Sequence, residues 1–198
     1  MRNLLTDVAG IKVGCAHDEK LASGVTVTLF DEPTTASVSV SGGAPAGRDL
    51  DCLEPDARLE GVDAILLCGG SAFGLDAASG AQAWLRERGR GLAIGNARVP
   101  IVPQVICFDL LNGGDKDWGR YPPYRELAYL ACDAAGPDVP LGSAGAGFGA
   151  TTVNRKGGQG SASARARSCL VVAAHVVVNA IVSAIIGDGP LFWAAPWE

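Results

Sequence analysis

The chain has 198 residues, of which 48% are hydrophobic and 19% are charged, and its formal net charge is -5 at pH 7. This length suits one domain with a substantial core, and the composition argues against a disordered chain. The net negative charge and the lack of a run of Lys and Arg argue against a nucleic-acid-binding surface.

Short β-branched or alternating runs predict strands in the first third of the chain, at residues 11–14, 24–30 and 36–40. The continuous apolar run at 62–68 predicts a strand that is covered on both faces. Gly69 and Gly70 then turn the chain, and the spacing of apolar residues predicts a helix over 75–88.

The middle of the chain continues with a predicted strand at 105–111, a loop at 112–124 and a helix at 125–135. Residues 169–186 form a long apolar run that is rich in Val and Ile, and we predict two consecutive buried strands there, with a turn near Asn179 or Ala180. Strands at both ends with helices between them predict an α/β fold in one domain spanning 1–198.

Several function classes find little support in these patterns. The 169–186 run holds His175, Asn179 and Ser183 and lacks flanking anchors, which argues against a membrane span. The N-terminus lacks the apolar core of a signal peptide, and the six cysteines form no CxxC pair. No His, Cys and carboxylate cluster has metal-ligand spacing, so we expect no metal or cofactor. The scattered cysteines indicate a reducing cytoplasm as the compartment.

Two glycine-rich strings stand out, GGSAFGLDAASGAQAWL from Gly69 and AGAGFGATTVNRKGGQGSASA from Ala144. Such glycine density marks positive φ angles or close approach of backbone. The turn at Gly69 and Gly70 either caps the following helix or faces substrate with its amides, because helix N-terminal amides attract negative charge. The spacing G-x-S-x-x-G is one residue too long for a nucleophile elbow.

Polar residues in unusual surroundings supply the candidate catalytic groups. Asn179 either bonds backbone at a turn or aims its amide at an oxyanion. Lys156 is either a solvated charge or a cation held near an active site, and Asn154 can share that role. A Ser/His/Asp triad is weakly supported, since His17 lies in a polar loop and His175 in an apolar run.

These motifs together resemble the L-aminopeptidase/D-esterase family, the DmpA-like peptidases, which also includes β-peptidyl aminopeptidases and the nylon-oligomer hydrolase NylC. The resemblance runs along essentially the whole chain. Its motifs, in order, are LTDVAGIKVG, GVTVTLF, SGGAPAGRDLD, AILLCGGSAFGLDAASG, VPIVPQVICFDL, AGAGFGATT, KGGQGSAS, VVVN ending at Asn179, and GDGPLFWAAPWE.

The resemblance implies a four-layer αββα sandwich and a precursor that cleaves itself before a Ser or Thr. The α portion, which this chain resembles, then works with a small β chain whose new N-terminal residue is the nucleophile. Family members assemble several α/β pairs into an oligomer. The implied activity is removal of N-terminal residues from short peptides, amides or esters, with no cofactor.

The resemblance also implies site residues. Asn179 matches a family asparagine that lies close to the nucleophile and binds the oxyanion. A family lysine falls by direct spacing at Asn154, with Lys156 close by. Some members use a tyrosine hydroxyl where this chain has Phe108, which we place with Gly69 and Gly70 among the substrate-binding residues.

The last eight residues crowd Phe192, Trp193 and Trp197 together. Such residues usually need a partner surface, so we expect more polypeptide to follow or a β chain to cover them. Two alternatives remain open. One is a non-catalytic binding or scaffold protein on the same fold, and the other is an acyltransferase similar to the ornithine acetyltransferases.

Overall fold

A computed structural model describes residues 1–195 of the chain. Its strands, in chain order, are β1 (Ile11–Asp18), β2 (Ser23–Thr34), β3 (Gly47–Arg48), β4 (Val62–Cys68), β5 (Leu92–Ile94), β6 (Ala97–Val99), β7 (Gln104–Ile106), β8 (Gln159–Arg165) and β9 (Val171–Val177). Its α-helices are α1 (Ala77–Glu87) and α2 (Tyr124–Asp133). Short 3₁₀ turns lie at Leu5–Asp7, Leu50–Leu53, Ser71–Asp76 and Gly145–Gly147. The structure confirms the predicted α/β class.

A five-stranded mixed sheet organises the fold, with the strand order β1-β2-β4-β7-β3. Its β4–β7 pair is parallel and its other pairs are antiparallel. The strand β4 lies in the centre and is buried along most of its length, as its continuous apolar run predicts. Two antiparallel ribbons, β5–β6 and β8–β9, lie outside this sheet.

The main hydrophobic core lies between this sheet and the two helices, which pack against each other. Alternate residues of β2 and β4 supply the sheet side, and Leu85, Tyr124 and Leu127 are the large residues on the helix side. Small alanines along both helices let them approach closely. The helix–sheet layer therefore fixes the carboxyl end of β4, where the Gly69–Gly70 turn begins.

Two predicted strands are corrected by the structure. Residues 36–40 are not a strand, because the pairing of β2 with β4 ends at Thr34 and Val62, so that the chain beyond has no partner strand. The strand predicted at 105–111 is only Gln104–Ile106, because its neighbour β4 ends at Cys68 and turns away.

The prediction of two buried strands at 169–186 is wrong in its second half. Only β9 forms, and it pairs with β8, which the sequence did not predict. The residues of β9 alternate between half-buried and exposed rather than buried. The chain leaves the ribbon after Val177 and runs past Asn179 towards the glycine-rich loop near Val153. Among residues 1–195, the structure has no helix long and apolar enough to cross a membrane.

Candidate active site

A groove of about 960 Å³ lies at the carboxyl end of β4 and β7. Its walls come from segments that are far apart in the chain, namely residues 38–46, 50, 71, 105, 106, 108, 151–153 and 179–181. Most of these side chains are apolar or small, and the polar groups among them are hydroxyls and one side-chain amide. Such a lining is suited to hold an uncharged chain and to polarise a carbonyl group.

Asn179 lies on this groove just after β9, and a hydrogen bond fixes its orientation. The backbone N–H of Phe108 donates to Asn179 Oδ1 at 2.9 Å. A backbone N–H is a donor only, so it selects the carbonyl oxygen of the amide and leaves the Nδ2 group, with its two donors, for the groove. An amide held in this way is an oxyanion donor of the kind that stabilises a tetrahedral intermediate.

Phe108 contributes its side chain as well as its backbone. The ring is 47% exposed and lines the groove beside Val105 and Ile106. The structure therefore brings two of the sequence-predicted site residues, Phe108 and Asn179, into direct contact.

Gly69 and Gly70 are both buried behind the groove wall and are not among its lining residues. Gly70 has a φ of 82°, and its N–H donates to Asp109 Oδ1 at 2.7 Å. The residue that the turn presents to the groove is Ser71, which has a φ of 52° and donates its N–H to Cys107 O at 3.0 Å.

Asn154 and Lys156 lie in a neighbouring cavity of about 550 Å³. Both side chains are exposed, and Lys156 Nζ lies 5.0 Å from the centre of the Phe148 ring. Thr151, Thr152 and Val153 line both cavities, so this segment is the wall that separates Lys156 from Asn179. The structure thus places these two predicted residues beside the groove rather than in it.

The histidines and cysteines near these cavities do not form a nucleophile with a base. His17 stacks on Phe148 with ring centres 4.2 Å apart, while His175 belongs to β9, where burial lowers the pKa of its imidazole. Burial also raises the pKa of the Cys107 thiol to about 11 and that of Cys68 well above its ordinary value. These thiols are protonated at neutral pH and are poor nucleophiles.

Sequence reasoning missed Ser71, Asp109 and Ser23. Ser71 is the serine of the G-x-S-x-x-G motif, whose spacing argues against a nucleophile elbow, and no local pattern indicates that it lines the groove. Asp109 is 1% exposed and interrupts the apolar run 105–111, and a carboxylate within such a run is the available signal. Ser23 Oγ donates to Asp109 Oδ2 at 2.5 Å, a contact between segments that no local pattern reveals.

Solved structures share this fold. The beta-aminopeptidase of a Burkholderia species superposes with a TM-score of 0.72 at 23% identity, covering 90% of this chain and 52% of that one. The L-aminopeptidase D-Ala-esterase/amidase of Ochrobactrum anthropi, a variant of the Ntn hydrolase fold, superposes with a TM-score of 0.64 at 22% identity, covering 81% and 48%. The chain therefore shares the fold of these two solved structures.

Residues 3–191 match the model of peptidase family S58, and the chain belongs to that family. An uncharacterized aminopeptidase of Mycobacterium tuberculosis is 43% identical over 203 residues, which covers 98% of this chain and 57% of the relative. The chain thus spans little more than half the length of this curated relative. The resemblance to DmpA-like peptidases in the sequence is confirmed.

Proposed function

We propose that this chain is the oxyanion-binding α portion of a self-processing amide hydrolase, an aminopeptidase that acts on short peptides, amides or esters. The observation that carries the proposal is the hydrogen bond from the Phe108 N–H to Asn179 Oδ1 at 2.9 Å. It holds the Asn179 Nδ2 group for the oxygen of a substrate carbonyl in the groove. Membership of peptidase family S58 supports the reaction class.

In this proposal the nucleophile is the N-terminal Ser or Thr of a small β chain released from the same precursor. Its hydroxyl oxygen attacks the carbonyl carbon while its α-amine takes the hydroxyl proton. The tetrahedral oxyanion accepts hydrogen bonds from Asn179 Nδ2. Collapse expels the leaving amine, which takes the proton, and water then hydrolyses the acyl-enzyme.

The apolar surface after β8 supports a partner chain. Nine large apolar side chains in this part of the structure are at least 46% exposed, namely Leu170, Val172, Val176, Val178, Ile181, Val182, Leu191, Phe192 and Trp193. An exposed apolar area of this extent marks an interaction surface. We propose that the β chain covers it, completing a four-layer αββα sandwich, and that α/β pairs form a homo-oligomer. Trp197 lies outside the described residues.

The other predicted site residues take supporting roles in the proposal. Phe108 contacts the apolar part of the substrate, and Gly69 and Gly70 shape the turn that presents Ser71. Lys156 and Asn154 lie in the cavity on the other side of residues 151–153, where Lys156 adds positive charge beside the groove.

Intact-mass spectrometry with N-terminal sequencing of the denatured full-length protein tests self-processing. We expect a second, smaller polypeptide that begins with Ser or Thr. A single unprocessed species without amidase activity would favour the scaffold alternative. Acyl transfer to an added amine in preference to water would favour the acyltransferase alternative.

Asn179→Ala in the full-length protein tests the oxyanion role. Loss of an oxyanion donor costs about 3 kcal/mol of barrier, so we expect turnover of an aminoacyl p-nitroanilide to fall by about 100-fold or more. Because Asn179 is exposed, the melting temperature should change little. Turnover close to that of the wild type would refute this role.

A further inference from the structure

Asp109 is a buried carboxylate at the junction of the two glycine-rich strings. It is 1% exposed and accepts two hydrogen bonds, from Ser23 Oγ at 2.5 Å and from the Gly70 N–H at 2.7 Å. A charged group is costly to bury unless hydrogen bonds satisfy it. The arrangement is therefore a specific one, built by β2, by the turn after β4 and by the segment after β7.

Both glycine strings lie against the same oxygen of this carboxylate. A Cβ added at Gly69 would lie 2.0 Å from Asp109 Oδ2, and one added at Gly149 would lie 2.5 Å from it. Gly69 leads to Ser71 on one wall of the groove, and Gly149 leads to the wall at 151–153. Ser23 Oγ lies similarly close to the added Cβ at Gly69, and the main-chain oxygen of Ala22 to that at Gly149. Asp109 is therefore one of the groups that set the approach of two walls that meet at the groove.

The three residues 107–109 are each tied by hydrogen bonds. The Cys107 N–H donates to Cys68 O at 2.7 Å, and Cys107 O accepts from the Ser71 N–H. The Phe108 N–H donates to Asn179 Oδ1. The side chain of Asp109 accepts from the Gly70 N–H and from the Ser23 hydroxyl. The carboxylate is therefore one residue away from the N–H that orients the amide of Asn179.

We propose that Asp109 is a positioning residue for the oxyanion donor. It fixes the main chain at Phe108 so that the Phe108 N–H holds Asn179 Oδ1 and turns Nδ2 to the groove. Asp109 itself touches no substrate. The inference rests on the proposed function for its effect on turnover, but the link from Asp109 to the Phe108 N–H is a property of the structure alone.

Amide hydrogen exchange in the full-length protein, followed by NMR, tests that link without substrate. In Asp109→Ala we expect exchange to accelerate at least about 10-fold at both the Gly70 and the Phe108 amides, because the segment loses its anchor. Acceleration at Gly70 with no change at Phe108 would overturn the proposal.

Asp63→Ala is the matched control. Asp63 is also a buried carboxylate, 2% exposed, and its Oδ2 accepts from the Ile101 N–H at 2.9 Å, but neither residue lines the groove. We expect faster exchange at Ile101 and no change at Phe108. Equal acceleration at Phe108 in the two variants would show general loosening and would also overturn the proposal.

A double-mutant cycle with an alanine p-nitroanilide probe tests the effect on catalysis. We expect Asp109→Ala to lower kcat about 10- to 100-fold in the wild-type background, and by less than about 3-fold when Asn179 is already Ala, because the two residues act through one interaction. Equal losses in both backgrounds would contradict positioning through Asn179. Asp63→Ala should have the same small effect on kcat in the wild-type and Asn179→Ala backgrounds.

Two milder variants keep the test valid if Asp109→Ala does not fold. In Asp109→Asn the side-chain oxygen still accepts from Gly70 and the new amide donates to the Ser23 hydroxyl, so we expect normal Phe108 exchange and kcat within about 5-fold of wild type. Ser23→Ala removes one donor and should accelerate Gly70 and Phe108 together. A disturbed Phe108 amide in Asp109→Asn, or an undisturbed one in Ser23→Ala, would overturn the proposal.

The cycle also separates failure of the inference from failure of the proposed function. If Asn179→Ala hydrolyses the probe at the wild-type rate, or if the wild type hydrolyses no probe, the proposed function fails. The exchange data then still decide whether Asp109 holds the Phe108 N–H.

Discussion

Gly70 has a φ of 82° and lies directly against the ring of Tyr124. A Cβ at this position would lie 2.2 Å from Tyr124 Cζ, so a side chain meets both an unfavourable dihedral angle and a buried ring. We expect Gly70→Ala to lower the free energy of unfolding by about 2–5 kcal/mol, measured by urea denaturation of the full-length protein.

Gly89→Ala is the control that measures the cost of a positive φ angle alone, without a steric contact. Gly89 has a φ of 70°, but nothing lies within 4 Å of the added Cβ. The free energy of unfolding of Gly89→Ala should fall by about 1 kcal/mol. Equal losses at the two positions would mean that the contact with Tyr124 is unimportant.

The side chain and the backbone of Phe108 have separable roles. In Phe108→Ala the N–H that orients Asn179 remains, while an apolar contact in the groove is lost. We therefore expect KM for an apolar substrate to rise about 3- to 30-fold, with kcat within about 3-fold of wild type.

Phe73→Ala provides a comparison for Phe108→Ala. Phe73 is similarly exposed, at 52%, but it packs edge-on against Trp118 and does not line the groove. Its replacement should leave KM unchanged. A large fall in kcat for Phe108→Ala alone would show that the ring contributes to the chemical step.

At the scale of elements, Gln104 joins β7 to the start of α1. Its Oε1 accepts from the Ala78 N–H at 2.9 Å, and its Nε2 donates to Gly74 O at 2.5 Å, with the residue 1% exposed. Gln104→Leu removes the side-chain partner of the buried Ala78 N–H. It also removes one of the two donors to Gly74 O, whose other donor is the Ala77 N–H. We expect a loss of about 2–5 kcal/mol in the free energy of unfolding, measured by chemical denaturation.

Gln82→Leu is the milder counterpart. Gln82 bonds Arg48 and the carbonyl of Pro100 but is only half-buried, so water can replace these bonds. The free energy of unfolding of Gln82→Leu should therefore fall by less than about 1.5 kcal/mol. If both variants cost the same, the burial of Gln104 would not be the reason for its importance.

The elements that the sequence predicted well are those with strong local patterns. The apolar run of β4 gave its limits at Val62 and Cys68, and α2 was predicted to within one residue at its start. The errors lie in strands whose formation depends on whether a partner strand lies beside them. Residues 36–40 have strand propensity but no neighbour, while β8 has small residues of weak propensity and forms because β9 pairs with it.

The candidate site was likewise predicted where a local pattern exists and missed where it depends on contacts between distant segments. Asn179 was identified because a polar residue within an apolar run is unusual. Its partner at Phe108, and the contact of Asp109 with Ser23 and Gly70, join segments that are distant in the chain, and no single local pattern encodes them. The separation of Lys156 from Asn179 by the wall at 151–153 also depends on three-dimensional packing.

For the whole molecule, buried thiols predict a loss of stability in alkali. Burial raises the pKa of Cys107 to about 11 and that of Cys132 to about 12, from an ordinary value of 9.0. Above pH 9 the unfolded chain loses these protons while the folded protein retains them, so the free energy of unfolding falls as pH rises. Cys107 alone should contribute a loss of about 2 kcal/mol by pH 11.

Urea denaturation between pH 8 and 11 measures this loss. Cys107→Ala should show a shallower decline than the wild type. Cys169→Ala, which alters an exposed thiol, should follow the wild-type curve. A decline that is unchanged in Cys107→Ala would assign the alkaline effect to other groups.

The contact of Gly69 and Gly149 with one carboxylate oxygen has a consequence for mutational tolerance. A side chain at either position must displace Asp109, and once it is displaced the second substitution meets less resistance. The two positions are therefore coupled through Asp109 although they are far apart in the chain, while Ser23 Oγ at position 69 and the main-chain oxygen of Ala22 at position 149 add costs of their own. We expect a shorter side chain at 109 to relieve part of the cost of a substitution at 69 and at 149, while the main-chain oxygen of Ala22 keeps position 149 the more restricted of the two.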